Sequence, residues 1–330
     1  MKKTREYAFD ILRVISMIMV IIIHIANVYC RSFGMISTKS YLISLIFNTI
    51  CRVSVPIFFM ISGSLLLDRS FNKEKYLKRV LKYVILIVVW DIIYLVWEYF
   101  YLGITYDKLY MLVIDPYRAH LWFLYTILVL YAIQPLLKLI MDKSNNVVKI
   151  ILLTVWIILS LASMINPYVA KFFTIFSYIG YFIIGKYLYD FIKKYDLRKY
   201  NISLVLIMII CFSISIWMNY SLSIKLNQFY NLFFAYRTPF IMISSFALYV
   251  LIISNYRKDS LNKFVTGLSD LSLGVYLIHG IFLDVTVKVF IYSSINSLIG
   301  IPIFTVIIFV LSIISTFIIK KIKYLNYIIS

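Results

Sequence analysis

Ten apolar runs divide this chain, near residues 9–30, 41–67, 80–102, 119–140, 147–165, 172–192, 202–219, 232–254, 265–290 and 299–319. Each is about twenty residues long, the length that carries an α-helix across the hydrocarbon core of a bilayer. In lipid every backbone N–H and C=O must find its partner inside the protein, which leaves only helices and closed barrels as spanning structures. The runs are continuous rather than alternating, so helices are expected. With 63% of 330 residues hydrophobic, a water-soluble domain could not hide its apolar surface. These runs imply an all-α membrane protein, a polytopic bundle of about ten transmembrane helices forming one domain over residues 1–330. No soluble domain, internal repeat or low-complexity linker interrupts them.

Lys and Arg number 33 against 14 Asp and Glu, a formal charge of +19. In a soluble chain that excess would point to nucleic acid. Here most of the cations fall in the N-terminus, the second, fourth, sixth and eighth loops and the C-terminus. By the positive-inside rule both termini are cytoplasmic, and the partner implied is the bilayer rather than a nucleic acid. Lys2, Lys3 and Arg5 precede the first run, but Arg13 interrupts it and no small-residue cleavage site follows, so an uncleaved first helix is expected. Cys30, Cys51 and Cys211 show no paired spacing and behave as small apolar residues.

Ionisable side chains inside a span are costly and mark candidate functional sites. Arg13 and His24 stand in the first run, FDILRVISMIMVIIIHIA. Eleven helical positions amount to about 1,100° of rotation and about 16 Å of rise, so the two share one face at different depths. Asp10, Arg13, Met17, Val20 and His24 complete that stripe. Asp10 paired with Arg13 anchors the helix at the interface. An imidazole near neutral pKa suits acid–base work or a proton path.

Other polar groups gather around it. The second run holds Arg52 near mid-depth, then Pro56 and Ser62-Gly63-Ser64, which weaken the helix ladder or allow close helix contact. DRSFNKEKYLKRVLKY follows on the cytoplasmic side, with Arg69, Lys73, Lys75, Lys78, Arg79 and Lys82 setting topology or meeting a phosphate-bearing ligand. His120 and Trp122 open the fourth helix from outside. Ser272, Tyr276 and His279 line one face of the ninth, and His279 lies at a depth close to that of His24. Asp91 is expected to neutralise Arg52 or Arg237. No Gly-rich phosphate loop, GxSxG elbow, HExxH or metal-ligand cluster is present, so no metal is expected.

Arg13 and His24 in an R-x10-H arrangement, FDILRVIS, VPIFFMISGSLLL, HLWFLYTILVLYAIQPLL and LSLGVYLIHGIF, in that order, resemble the acyltransferase 3 family of integral-membrane enzymes. The resemblance covers essentially the whole chain. It implies transfer of an acyl group, usually acetyl, from cytosolic acyl-coenzyme A to a hydroxyl of an envelope carbohydrate or lipid-linked sugar, in a bacterial cytoplasmic membrane. Acyl-coenzyme A is then a co-substrate, with no permanently bound cofactor. The family's motif histidine falls on His24 and its arginine on Arg13. Two departures stand out. Many relatives carry R-x-R after the second helix where this chain reads Arg79-Val-Leu-Lys82, and some add a C-terminal hydrolase-like domain not expected in a chain that stops at Ser330.

Joined to the residue pattern, the resemblance gives an expected site. His24, Arg13 and Asp10 form the catalytic stripe. Arg13, Arg69, Lys78, Arg79 and Lys82 bind the donor. Arg52, Ser62, His120, Trp122, Tyr276 and His279 serve the acceptor or the oxyanion. The alternative from another class is a transporter or flippase of a glycan or small metabolite, using the same buried charges as a substrate or proton path.

Overall fold

The computed structural model describes residues 5–103, 118–256 and 262–329. Lys2, Lys3, Lys108, Arg257 and Lys258, counted in the charge asymmetry above, lie outside the described residues. Among those described the chain is helical without strands. The order is α1 (Tyr7–Arg31), α2 (Thr38–Cys51), α3 (Ser54–Leu66), α4 (Lys73–Trp97), α5 (Trp122–Lys143), α6 (Asn146–Ile165), α7 (Pro167–Lys194), α8 (Asn201–Leu226), α9 (Pro239–Asn255), α10 (Lys263–Ser269), α11 (Ser272–Val289) and α12 (Ser297–Lys321). Nine helical segments among the described residues are long and apolar enough to cross a membrane. The 28-residue α7 covers the remaining expected run. The protein is therefore an all-α, multi-pass membrane protein.

Asparagine side chains cap many of the helix starts. Asn72, Asn145, Asn166, Asn262 and Asn296 accept backbone N–H groups at the first turns of α4, α6, α7, α10 and α12, satisfying donors that the helix itself leaves orphaned.

Three expected spans are not continuous; the eighth breaks at 235–238, between a 3-10 turn over Leu232–Phe234 and α9. The second breaks at Arg52-Val53, between α2 and α3. Pro56 explains the position: it has no N–H to give the Arg52 carbonyl, and its ring crowds that carbonyl four residues back. The ninth expected span is α10 and α11, separated at Asp270-Leu271. There the chain turns so that Ser269 and Asp270 reach Asp10 and Arg5.

The small residues of the second span do bring helices together. A Cβ on Gly63 would lie 1.7 Å from the Phe182 carbonyl oxygen, and one on Gly185 would lie 2.3 Å from that of Met60. The backbones of α3 and α7 thus touch, a close approach that membrane helices reach only through small residues. Around this crossing Phe59, Tyr181, Phe182 and Tyr249 form a fully buried core with residues of α1 and α5. A second cluster joins α1, α11 and α12 through Met17, Ile21, Val275 and Phe304, and a third joins α4, α5 and α11 through Trp90, Tyr94 and Leu277. Helices α6 and α8 are peripheral. Ile150, Ile158, Ile209 and Ile210 are exposed on them, as lipid-facing surfaces require. This arrangement sets α1 between α3 and α11, with its polar stripe facing inward.

Candidate active site

A cavity of about 500 Å³ runs beside α1. From α1 it is lined by Arg13, Val20, Ile23, His24 and Asn27, so the stripe read from the sequence is the wall of a hollow. Asp10 and Met17 are the exceptions; Met17 packs into the core with α11 and α12. Arg52, Ser62, Arg69, Arg79, His120, Trp122 and Tyr276 also line it. A second cavity, of about 770 Å³, adjoins the first and shares Leu66, Arg69 and Arg79 with it. Asp68, Phe71, Lys75 and Tyr76 are among its other walls. One end of the paired space is thus cationic, and the other holds imidazoles and aromatic rings.

At the cationic end Arg13 is held by Asp10, its Nη1 3.1 Å from Oδ1. Asp10 is fully buried and does not line the cavity. It also accepts from Arg5 at 2.6 and 2.9 Å and from the Ser269 hydroxyl at 2.6 Å. The acceptances by Asp10 and Asp270 raise the Arg5 pKa above its ordinary value and keep that guanidinium charged. Asp10 is therefore the knot that ties α1, α10 and the N-terminus together, set behind Arg13 rather than against a ligand. Arg79 lies over the Tyr131 ring, 5.6 Å from its centroid. Of the cations expected to meet a donor, Lys78 points elsewhere and pairs with Glu74 at 2.6 Å on an exposed surface. Lys82 lines neither cavity. Helical geometry accounts for Lys78: Lys75, Arg79 and Tyr83 are four apart and share a face, while Lys78, next to Arg79 in the chain, is rotated about 100° from it. Lys75, one of the loop cations named from the sequence, lines the second cavity, and Tyr83 is a lining residue that the sequence reading did not assign, although this i, i+4, i+8 spacing carried the signal.

The other end is built from two helices and a short turn. His24 comes from α1, His279 from α11, and His120 from a 3-10 turn over Ala119–Leu121 that precedes α5. The His24 ring centroid is 5.1 Å from His279 and 6.1 Å from His120, and His120 is 5.1 Å from His279. All three histidines of the chain meet at one point. His120 is held from several sides. The Tyr276 hydroxyl donates to its carbonyl, and the preceding Arg118 bridges Glu98 at 3.0 Å and Asp284. Close packing against α11 depends on Gly280, where a Cβ would stand 2.7 Å from Tyr94 Oη and 2.8 Å from His120 Cε1. His279 is buried just behind the cavity wall, with Nδ1 2.5 Å from the Tyr276 carbonyl oxygen.

Arg52 reaches the same cavity. Its Nε donates to Asn48 Oδ1 at 2.8 Å, and its guanidinium lies over Phe234 and Tyr236 at 5.1 and 5.8 Å. The expected Asp91 partnership is not what forms, since Asp91 accepts from the Tyr125 hydroxyl. Trp122 packs against Tyr178 and Tyr236, 5.1 and 5.9 Å between centroids, giving the cavity an aromatic side. Cys30, Cys51 and Cys211 are buried free thiols away from this lining. Among the described residues, no three His, Cys, Asp or Glu side chains are disposed to hold a metal ion.

Chemically, such a space offers anion binding at one end and proton transfer beside a fixed cation at the other. A family model described as an acyltransferase domain (Acyl_transf_3) matches residues 6–321. No curated protein and no solved structure matches the chain at significance.

Proposed function

The chain belongs to the acyltransferase-domain family Acyl_transf_3, and on that premise we propose that this membrane acyltransferase moves an acetyl group from cytosolic acetyl-coenzyme A to a hydroxyl of an envelope carbohydrate or lipid-linked sugar. Its membrane on this reading is the bacterial cytoplasmic membrane. One observation carries the proposal: a single hollow joins three guanidinium groups, Arg13, Arg69 and Arg79, to the imidazole of His24. Guanidinium forks suit phosphate oxygens. The interval of about 16 Å along α1 suits a donor whose phosphates and reactive carbonyl are joined by a long arm.

In this reaction the acceptor hydroxyl oxygen attacks the thioester carbonyl while His24 takes the hydroxyl proton. The C–O bond forms, the C–S bond breaks, and the proton passes from His24 to the departing thiolate. Arg52, a cation held on aromatic faces beside the cavity, is suited to the oxyanion that develops between these events. Trp122 and Tyr236 offer apolar faces for a sugar ring. Family membership favours transfer over the transporter alternative.

Mass spectrometry of envelope glycans tests the reading. Cells carrying the protein should show glycans heavier by one acetyl group, and cells carrying His24→Ala should not, although the variant inserts at normal abundance. Acetylation retained in His24→Ala would overturn the role of His24. Glycans identical with and without the protein would overturn the acceptor class.

A further inference from the structure

We infer that His279 is a positioning residue whose bare Nε2 accepts the N–H of His24 and so turns the other nitrogen of His24 toward the acceptor hydroxyl. The inference rests on the reading of His24 as the base. It starts from an atom the fold leaves unpaired.

His279 Nδ1 faces the Tyr276 carbonyl at 2.5 Å. A carbonyl oxygen only accepts, so Nδ1 carries the proton and donates it, and in the neutral ring Nε2 is a lone pair. This excludes His279 from the oxyanion role expected from the sequence, because the nitrogen turned away from Tyr276 has no hydrogen to give. That same Nε2 is buried and has no partner among the described residues. A buried acceptor without a donor is costly, and native interiors rarely leave one so.

Two imidazoles adjoin His279, those of His24 and His120, each 5.1 Å from its centroid. A linear N–H···N bond of about 2.9 Å between imidazoles sets their centroids about 5 Å apart, so a small side-chain rotation completes the bond. His24 is the partner that resolves a second requirement. A neutral imidazole has one N–H and one lone pair, and a base must present the lone pair to its substrate. The cavity wall at His24 offers Arg52 and Asn27 nearby, and the Arg52 guanidinium, having only donors, cannot receive a His24 proton. Among the groups against the His24 ring, His279 Nε2 is an acceptor whose state is fixed by its own backbone bond. The chain Tyr276 C=O, His279 and His24 thus sets a tautomer, the task a buried carboxylate performs in hydrolase triads, here done without placing a second charge in the membrane.

The chain has 3 His, so histidine labelled with nitrogen-15 yields few enough ring signals to assign by single substitution. In the full-length protein in lipid nanodiscs, wild type should show His24 as one tautomer, with nitrogen–nitrogen coupling across a hydrogen bond to His279. Coupling of His279 to His120 instead, or a tautomer mixture at His24, would overturn the inference. His279→Asn keeps a donor near Nδ1 but has nothing at Nε2, whereas His279→Gln places an amide oxygen there. His24 should become mixed in the first and stay single in the second. In turnover, His279→Asn should lower kcat on the order of 10²-fold at unchanged KM, with substantial recovery in His279→Gln. Equal losses in both variants would assign His279 a packing role only. Because the spectra need no turnover, failure of the proposed acetyl transfer and failure of this hydrogen bond are read separately.

Discussion

Replacing Gly280 by alanine adds one methyl group at the point where α11 receives His120 and Tyr94. The new Cβ would stand 2.7 Å from Tyr94 Oη and 2.8 Å from His120 Cε1, well inside normal contact, so both side chains must move. Tyr94 is fully buried among Trp90, Leu124 and Leu277 and has no free volume to enter. Its hydroxyl also donates to the Leu277 carbonyl at 2.8 Å, a bond of about 1 kcal/mol net. Overpacking of this kind costs about 1–3 kcal/mol. His120 borders the cavity and can retreat into it, so transfer should fall more steeply than stability. Tyr94→Phe removes the nearer obstructing atom. The double variant Gly280→Ala/Tyr94→Phe should therefore be more stable than the two single losses predict, by about 1 kcal/mol. Equilibrium unfolding titrations in mixed micelles measure all four corners of the cycle. Additive losses, or a Gly280→Ala protein as stable and as active as wild type, would refute the steric account of this junction.

Two further substitutions probe the cationic end. Asp10→Asn leaves Arg5 and Arg13 without their buried counter-charge and should destabilise the protein by about 3 kcal/mol; it should also raise the donor KM as Arg13 loses its orientation, and an unchanged melting temperature and KM would show that Asp10 ties nothing. Arg79→Ala should raise the donor KM about tenfold, about 1.4 kcal/mol of binding, while Lys78→Ala should leave it within about twofold because Lys78 is already paired with Glu74 in solvent. Equal effects from the two would contradict the helical face assigned to α4.

The legible parts of this fold and site are those governed by a single period or depth. Run length revealed the spans, and the eleven-residue interval placed Arg13 and His24 on one wall. Matching depth brought His279 to His24, since in a bundle depth is fixed by position within the run. What escaped depended on contacts between elements. His120 was expected on the acceptor side, but its contact with the His279 ring comes through the absence of a side chain at Gly280, and a glycine inside an apolar run announces nothing about which helix it will meet. Arg52 meets aromatic rings instead of Asp91 because the break before Pro56 and the turn before α9 set its neighbours. Those turns are tertiary facts. Lys78 was separable from Arg79 by helical phase, a signal present in the sequence but outweighed by the simpler observation of a cationic run.

On the proposed reading, the spacing of Arg13 and His24 also works as a ruler. Both are carried on one continuous helix, α1, and a helix does not shorten to suit a guest. A molecule whose anionic group and reactive carbon are neighbours, such as a mixed anhydride of phosphate, can touch one landmark or the other but never both. Selection among activated acyl compounds then needs no recognition of the leaving group itself. It follows from the length of rigid backbone between two side chains.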